Sequence, residues 1–165
     1  MRSLVFAAAL LVVIGSAVFP GPARGEPRAP GSSAQGRRPA DFTLESLEGK
    51  PVSLRQFLGR KPVLLVFWAT WCPECNAAIP AINALHEGPD GKRVQILALD
   101  FRETKTKVAA AVKSREIRYT VLLDERGEVA RAFEVVGIPT YVLIARDGTI
   151  VYRANTLPQN LSGYL

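Results

Sequence analysis

The chain has 165 residues, with 21 Lys and Arg against 15 Asp and Glu and a formal charge of +6, which leaves room for one domain and excludes a two-domain enzyme. Arg2 and Arg24 belong to an N-terminal leader, so residues 26–165 carry 19 bases against 15 acids; these fall singly or in pairs (Arg37-Arg38, Arg60-Lys61, Lys92-Arg93), with no long basic run or aromatic–basic motif, which argues against nucleic-acid binding. Two Cys and a single His are too few for a zinc site built from Cys and His alone.

Residues 4–19 (LVFAAALLVVIGSAVF) form one uncharged apolar run behind Arg2, and Pro20-Gly21-Pro22 stops any helix there. The run predicts a leader over residues 1–25, either a signal peptide cleaved at a small-x-small site such as Ala23-Arg24-Gly25 or an uncleaved membrane anchor. Residues 26–40 (EPRAPGSSAQGRRPA) have no apolar period and read as a flexible linker. The folded domain is expected over 41–165.

Phe42-Thr43-Leu44 and Val52-Ser53-Leu54 flank Glu48-Gly49-Lys50 and suggest a small β-hairpin. Ser53 and Gln56 have capping-box spacing, so a short helix ending at Gly59 is expected. Residues 62–68 (PVLLVFW) read as a strand buried on both faces. From Cys75, the apolar positions Ala78, Ile79, Ile82 and Leu85 recur at helical spacing until Gly88-Pro89-Asp90-Gly91. A second strand is expected over 94–99, a helix over 104–116 whose charged entrance at 102–107 reads as solvated, and a third strand over 119–123 closed by the turn Asp124-Glu125-Arg126-Gly127. A short helix over 128–134 follows, and after Gly137-Ile138-Pro139 a hairpin pairs 140–145 with 149–153 across Arg146-Asp147-Gly148. Alternating strands and helices with a terminal hairpin make a three-layer α/β domain around a mixed central sheet.

The chemistry lies in Trp71-Cys72-Pro73-Glu74-Cys75, a Cys-x-x-Cys motif placed between a buried strand and the first turn of a helix. With Cys72 as N-cap, Pro73 falls at N1, where its missing N–H costs nothing. The unpaired N–H groups and positive end of the helix favour a Cys72 thiolate, the attacking nucleophile. Cys75, one turn in, can resolve a mixed disulfide by forming the intramolecular bond. An inert staple over so short a loop would remove little unfolded-chain entropy. Haem attachment requires His where Asn76 stands, and thiol peroxidases of the peroxiredoxin kind place Thr or Ser where this chain has Ala69.

The segment FWATWCPECNAAIP, the opening DFTLESLEGKPVSL, the stretch LLDERGEVARAFEVVGIPTYVLI and the closing RDGTIVY together resemble exported thioredoxin-like thiol–disulfide oxidoreductases of the TlpA/ResA type, within the AhpC/TSA redoxin superfamily. The resemblance implies a thioredoxin-like fold with an N-terminal hairpin, an extracytoplasmic location, no cofactor beyond the redox-active Cys72–Cys75 disulfide, and reduction of disulfides in client proteins such as apocytochrome c. It implies electrons from a membrane thiol carrier of the CcdA or DsbD kind, with the membrane contacted only through an uncleaved leader, and a monomer is expected. Carried over by position, Trp71 shields the sulfurs, Pro73 lies in the substrate-facing turn, Pro139 is a cis-proline where an ordinary trans turn is the alternative, the Ile138 backbone pairs with incoming peptide, and Pro80 is a helix-kinking proline.

Three positions depart from the pattern. Val66 replaces the buried Asp that cytosolic thioredoxins carry six residues before the first Cys, Ala78 replaces the Glu that ResA-like proteins carry three residues after the second, and Glu74 takes the place of a Pro. Glu74 is thereby the one carboxylate within the motif able to handle a proton for Cys75, or else a solvent-exposed acid at N2. A carboxylate there opposes thiolate formation and favours a reductant, with ~30 mV for each ~1.4 kcal/mol. His86 is expected to cap the helix C-terminus; its other reading is a third ligand beside the two thiolates in a copper-binding chaperone. The tail LPQNLSGYL has length for about two helical turns.

Overall fold

The computed structural model describes residues 36–161, 163 and 164, so the expected leader and most of the expected linker lie outside the described residues. Seven strands form one sheet: β1 (Thr43–Ser46), β2 (Pro51–Ser53), β3 (Val63–Trp68), β4 (Gln95–Phe101), β5 (Thr120–Asp124), β6 (Thr140–Ile144) and β7 (Ile150–Ala154), in the spatial order β2-β1-β5-β4-β3-β6-β7. The central β5, β4 and β3 run parallel, and the flanking pairs are antiparallel hairpins at each edge. Four helices accompany it: α1 (Pro73–Glu87), α2 (Pro89–Arg93), α3 (Lys105–Ser114) and α4 (Glu128–Ala132).

The side-chain alternation of β3 divides the core in two. Leu64, Val66 and Trp68 join Cys72, Cys75, Ile79, Ile82 and Val108 on the α1–α3 face, while Val63, Leu65 and Phe67 join Leu54, Val129, Ala130 and Phe133 on the α4 face. All six residues of β3 are buried, which explains why it reads as an unbroken apolar run rather than an alternating one. On the α4 face, Phe133 meets Phe67 at 5.5 Å and Phe42 at 6.0 Å between ring centroids, tying the last helix to the sheet and to the N-terminal hairpin.

Several boundaries differ from expectation for local reasons. The helix expected after Ser53 is a single 3-10 turn, Leu54–Gln56; Ser53 accepts from Arg55 N–H, two residues on, so the capping box does not form. The sequence after α1 continues as the short α2, started by Pro89 at its first position. Residues 36–38, expected within the linker, are held by the domain: Gly36 N–H donates to Ile150 and Ile150 N–H donates to Arg37. Asp124–Gly127 forms its turn, yet Asp124 is buried and its carboxylate accepts from the N–H groups of Val129 and Ala130. That is the cap α4 cannot obtain from Gly127, which has φ 65° and where a Cβ would come within 2.8 Å of the Phe101 ring. The described residues of the C-terminal tail form no helix; Leu161 is buried in the α1-side core and Leu157 packs against it.

Ile82, 1% exposed, is the residue that seats α1 on the sheet. Ile82→Ala is expected to lower the unfolding free energy by roughly 2–5 kcal/mol, seen in urea as a lower midpoint at unchanged slope; a loss near zero would mean that α1 is held by other contacts.

Candidate active site

Strand β3 delivers the chain to the carboxyl end of the parallel sheet, where Cys72 N–H donates to Ala69 C=O at 3.2 Å and turns the backbone into α1. Cys72 is the N-cap, in extended conformation at φ −86°, ψ 113°, with Pro73 in the first turn. Its Sγ receives the Cys75 N–H at 3.1 Å, so one of the helix's unpaired donors already points at the sulfur that would carry negative charge on reduction. The two sulfurs are bonded, S–S 2.07 Å with 5.2 Å between Cα atoms. The sulfurs are covered in this oxidised state: Cys72 and Cys75 are 2% and 3% exposed, while Trp71, expected to shield them, is itself 60% exposed. Packing explains this, because both cysteines belong to the hydrophobic cluster of Trp68, Ile79 and Tyr141, with Ile138 against its edge.

The opposite wall comes from the start of β6. Phe67 pairs with Thr140, which places the preceding Pro139 beside the end of β3, and the Ile138–Pro139 peptide bond is cis. This turn is braced by Asn155, whose amide donates to Pro139 C=O at 2.7 Å, and by the Thr140 hydroxyl on Gly137 C=O. Neither Ile138 N–H nor its C=O is engaged by a described backbone group.

This arrangement matches known proteins. The family model described as the AhpC/TSA family covers residues 36–153. The chain belongs to the AhpC/TSA family. A thiol–disulfide oxidoreductase ResA of Bacillus thuringiensis subsp. konkukian is 37% identical over 70% of this chain and 66% of its own length, and the ResA of Bacillus subtilis is 32% identical over 90% of this chain and 78% of its own. The solved structure of a secreted Mycobacterium tuberculosis disulfide oxidoreductase homologous to E. coli DsbE superposes with a TM-score of 0.62 at 28% identity, covering 72% of this chain and 84% of that one. The fold is thioredoxin-like, and a Cys-x-x-Cys disulfide at the head of α1 is the site of a thiol–disulfide oxidoreductase.

Glu74 and Pro73 are exposed on the first turn of α1, and Glu74 makes no ion pair among the described residues. His86 lies in the last turn of the same helix, roughly 16 Å from Cys75 by helical rise, so it does not converge on the sulfurs as a copper ligand. Nor does it cap: its Nδ1 is buried with no partner among the described residues, and the helix end is closed by Gly88 N–H on Ala84 C=O.

Sequence reasoning missed two acids at the carboxyl end of β4. Asp100 is fully buried, and Glu103, expected in a solvated helix entrance, is 7% exposed. Glu103 accepts from the Thr70 N–H at 2.5 Å and the Thr70 hydroxyl at 2.8 Å, and pairs with Lys107 Nζ at 2.5 Å. Thr70 stands two residues before Cys72, and its carbonyl takes the Asn76 amide, which in turn accepts from Arg115. Burial acts to raise the Glu103 carboxyl, but the Lys107 ammonium and the two Thr70 donors outweigh it and hold the group below its ordinary range. Asp100 has no donor on either oxygen. Burial, reinforced by the negative Glu103 beside it, pushes its carboxyl up to about 8. At neutral pH Asp100 therefore keeps its proton while Glu103 stays charged. The signal available in sequence was an acid ending an apolar strand run, Val94 to Leu99, at the end of the sheet where the motif also lies.

An acid whose folded pKa is raised binds its proton more tightly folded than unfolded. Its contribution therefore lowers stability as pH rises from about 4 to about 8 and is constant outside that window. Asp100→Asn, a neutral group of nearly the same shape, is expected to stabilise the protein at pH 7.5 by roughly 2–4 kcal/mol, with the gain shrinking toward zero at pH 4. Denaturant unfolding at the two pH values checks this; an equal effect at both would show that Asp100 titrates normally.

Proposed function

We propose that this protein is an exported reductase of protein disulfides, with apocytochrome c as its client class and a membrane thiol carrier of the CcdA or DsbD kind as its electron source. The observation that carries the reading is the Cys75 N–H held on Cys72 Sγ at the N-terminus of α1. It supports Cys72 as the sulfur that bears the thiolate and attacks. The ResA relatives, named thiol–disulfide oxidoreductases, support the exchange chemistry, and the apolar run of residues 4–19 supports export, by a cleaved leader or an anchoring one.

In the reaction, the Cys72 thiolate attacks one client sulfur; the client disulfide breaks, its other sulfur leaves as thiolate and takes a proton, and a mixed disulfide forms. Cys75 then loses its proton and attacks Cys72 Sγ, releasing the second client thiolate and closing the disulfide of this structure. Two electrons pass to the client, and the donor's dithiol restores them. Client peptide would lie along the unengaged Ile138 backbone beside Pro139, with the exposed Trp71 and Val136 as flanking apolar contacts. Because both cysteines are covered when oxidised, the donor must displace part of that cover before exchange. Glu74, exposed in the first turn, opposes the helix's pull on the Cys72 thiolate and biases the couple toward reduction of clients.

Cys75→Ser is expected to accumulate covalent client adducts through Cys72 in its native envelope, and Cys72→Ser none. The wild-type protein should catalyse insulin reduction by dithiothreitol. Absence of both adducts and insulin reduction would reject the reductase, and an equilibrium with glutathione as oxidising as that of DsbA would reject the direction.

A further inference from the structure

Three buried polar atoms without a partner among the described residues share one row of the sheet. They are Trp68 Nε1 on β3 and both carboxyl oxygens of Asp100 on β4, and Trp68 and Asp100 are register partners. On the other side Asp100 pairs with Leu123 of β5. By the alternation of β4, Asp100 shares its face with Ile96 and Ala98, which belong to the same hydrophobic cluster as Cys72 and Cys75. The acid thus lies on the face where Val66, paired with Ala98, marks the position that cytosolic thioredoxins fill with Asp. It is one strand across and one same-face step nearer the motif. A fully buried carboxyl with no donor persists only if it is neutral or if its charge serves a purpose.

We propose that the Asp100–Glu103 pair is a proton store linked to the redox state of Cys72–Cys75, binding its single proton more tightly when Cys72 stands as a thiolate than when the disulfide is closed. Asp100 is a positioning and tuning residue here, acting through the field inside the cluster and through Glu103, whose grip on Thr70 N–H ties the pair to the loop that carries Cys72.

The surroundings define the sign. The neighbouring positions on β3 and β5, Trp68 and Leu123, carry no charge. From its own connection Asp100 feels Glu103, and from α3 it feels Lys107 across Glu103. Arg115, also after α3, reaches the loop only through Asn76. The phenols of Tyr119 and Tyr141 in the cluster are raised, first by burial, and stay neutral. Of the groups on α1, the two sulfurs share the cluster on this face, while Glu74 is exposed on the first turn and His86 lies in the last. When the donor's dithiol becomes a disulfide, its two electrons break the Sγ–Sγ bond of this site; Cys75 takes a proton and Cys72 remains a thiolate. That new charge appears in a water-poor cluster where attraction and repulsion are weakly screened, and it opposes ionisation of Asp100. Linkage makes the effect reciprocal. Once Asp100 ionises, the thiolate is disfavoured, the disulfide is favoured, and the dithiol becomes a stronger reductant than titration of its thiols alone would make it.

The test is a 13C NMR titration of the Asp100 side-chain carboxyl, assigned through its own backbone, in the full oxidised and reduced proteins between pH 5 and 10. The expected result is a midpoint well above the ordinary carboxylate range in both forms, and at least 0.5 pH unit higher in the reduced form. Coincident midpoints, or a midpoint near 4, would overturn the proposal. In parallel, the pH profile of Cys72 alkylation by iodoacetamide should show two steps in the wild-type protein and one in Asp100→Asn, and Glu103→Gln should move the Asp100 midpoint down. Two steps retained in Asp100→Asn would assign the second to another group. The proposal rests on Cys72 as the ionised sulfur. The adduct experiment tests that separately, so adducts through Cys72 with coincident Asp100 midpoints would reject this linkage and leave the reductase intact.

Discussion

The Cys75 N–H directed at Cys72 Sγ is the interaction on which the rest of the site depends. It exists because β3 is buried on both faces and ends at a fixed height, because Ala69 C=O turns the chain, and because Pro73 starts the helix without wasting a donor. A helix N-terminus leaves its first N–H groups without intrahelical partners. Here one of them is spent on a sulfur, where it strengthens as the sulfur gains charge.

Around that contact the fold places three supports from distant parts of the chain. Glu103 holds the Thr70 N–H, Asn76, itself held by Arg115, holds the Thr70 carbonyl, and Asn155 holds the turn at Pro139. Each satisfies a backbone group that the irregular segments between strands and helices would otherwise leave unpaired near the core. Glu103 has a second consequence. Lys107 and Thr70 favour its charged form, and that anion beside Asp100 contributes to keeping the second carboxyl protonated at neutral pH.

The cover over the sulfurs, set against the exposure of Trp71 and Val136, separates recognition from chemistry. Apolar contacts available to a client lie outside, while the bond to be exchanged lies within the cluster. A partner that buries the outer residues gains free energy that can offset opening of the cover.

Much of this was legible from residue order. The unbroken apolar run of β3, the Cys-Pro-Glu-Cys start of α1 and both hairpins follow from local periodicity and turn chemistry, which act over a few neighbours. Where local signals were weak the reading slipped, as at the 3-10 turn after Ser53, where Ser53 and Asp41 both accept from the Arg55 N–H. The pairing of Trp68 with Asp100, the grip of Glu103 on Thr70, the burial of both cysteines and the isolation of His86 from the motif could not be read this way. Each joins or separates residues far apart in sequence, and only the parallel register of β3 and β4 and the packing of α1 on the sheet decide such distances. In sequence, Glu103 is one charge among several in 102–107. In the fold it lies inside the protein because the backbone donor it satisfies is already there.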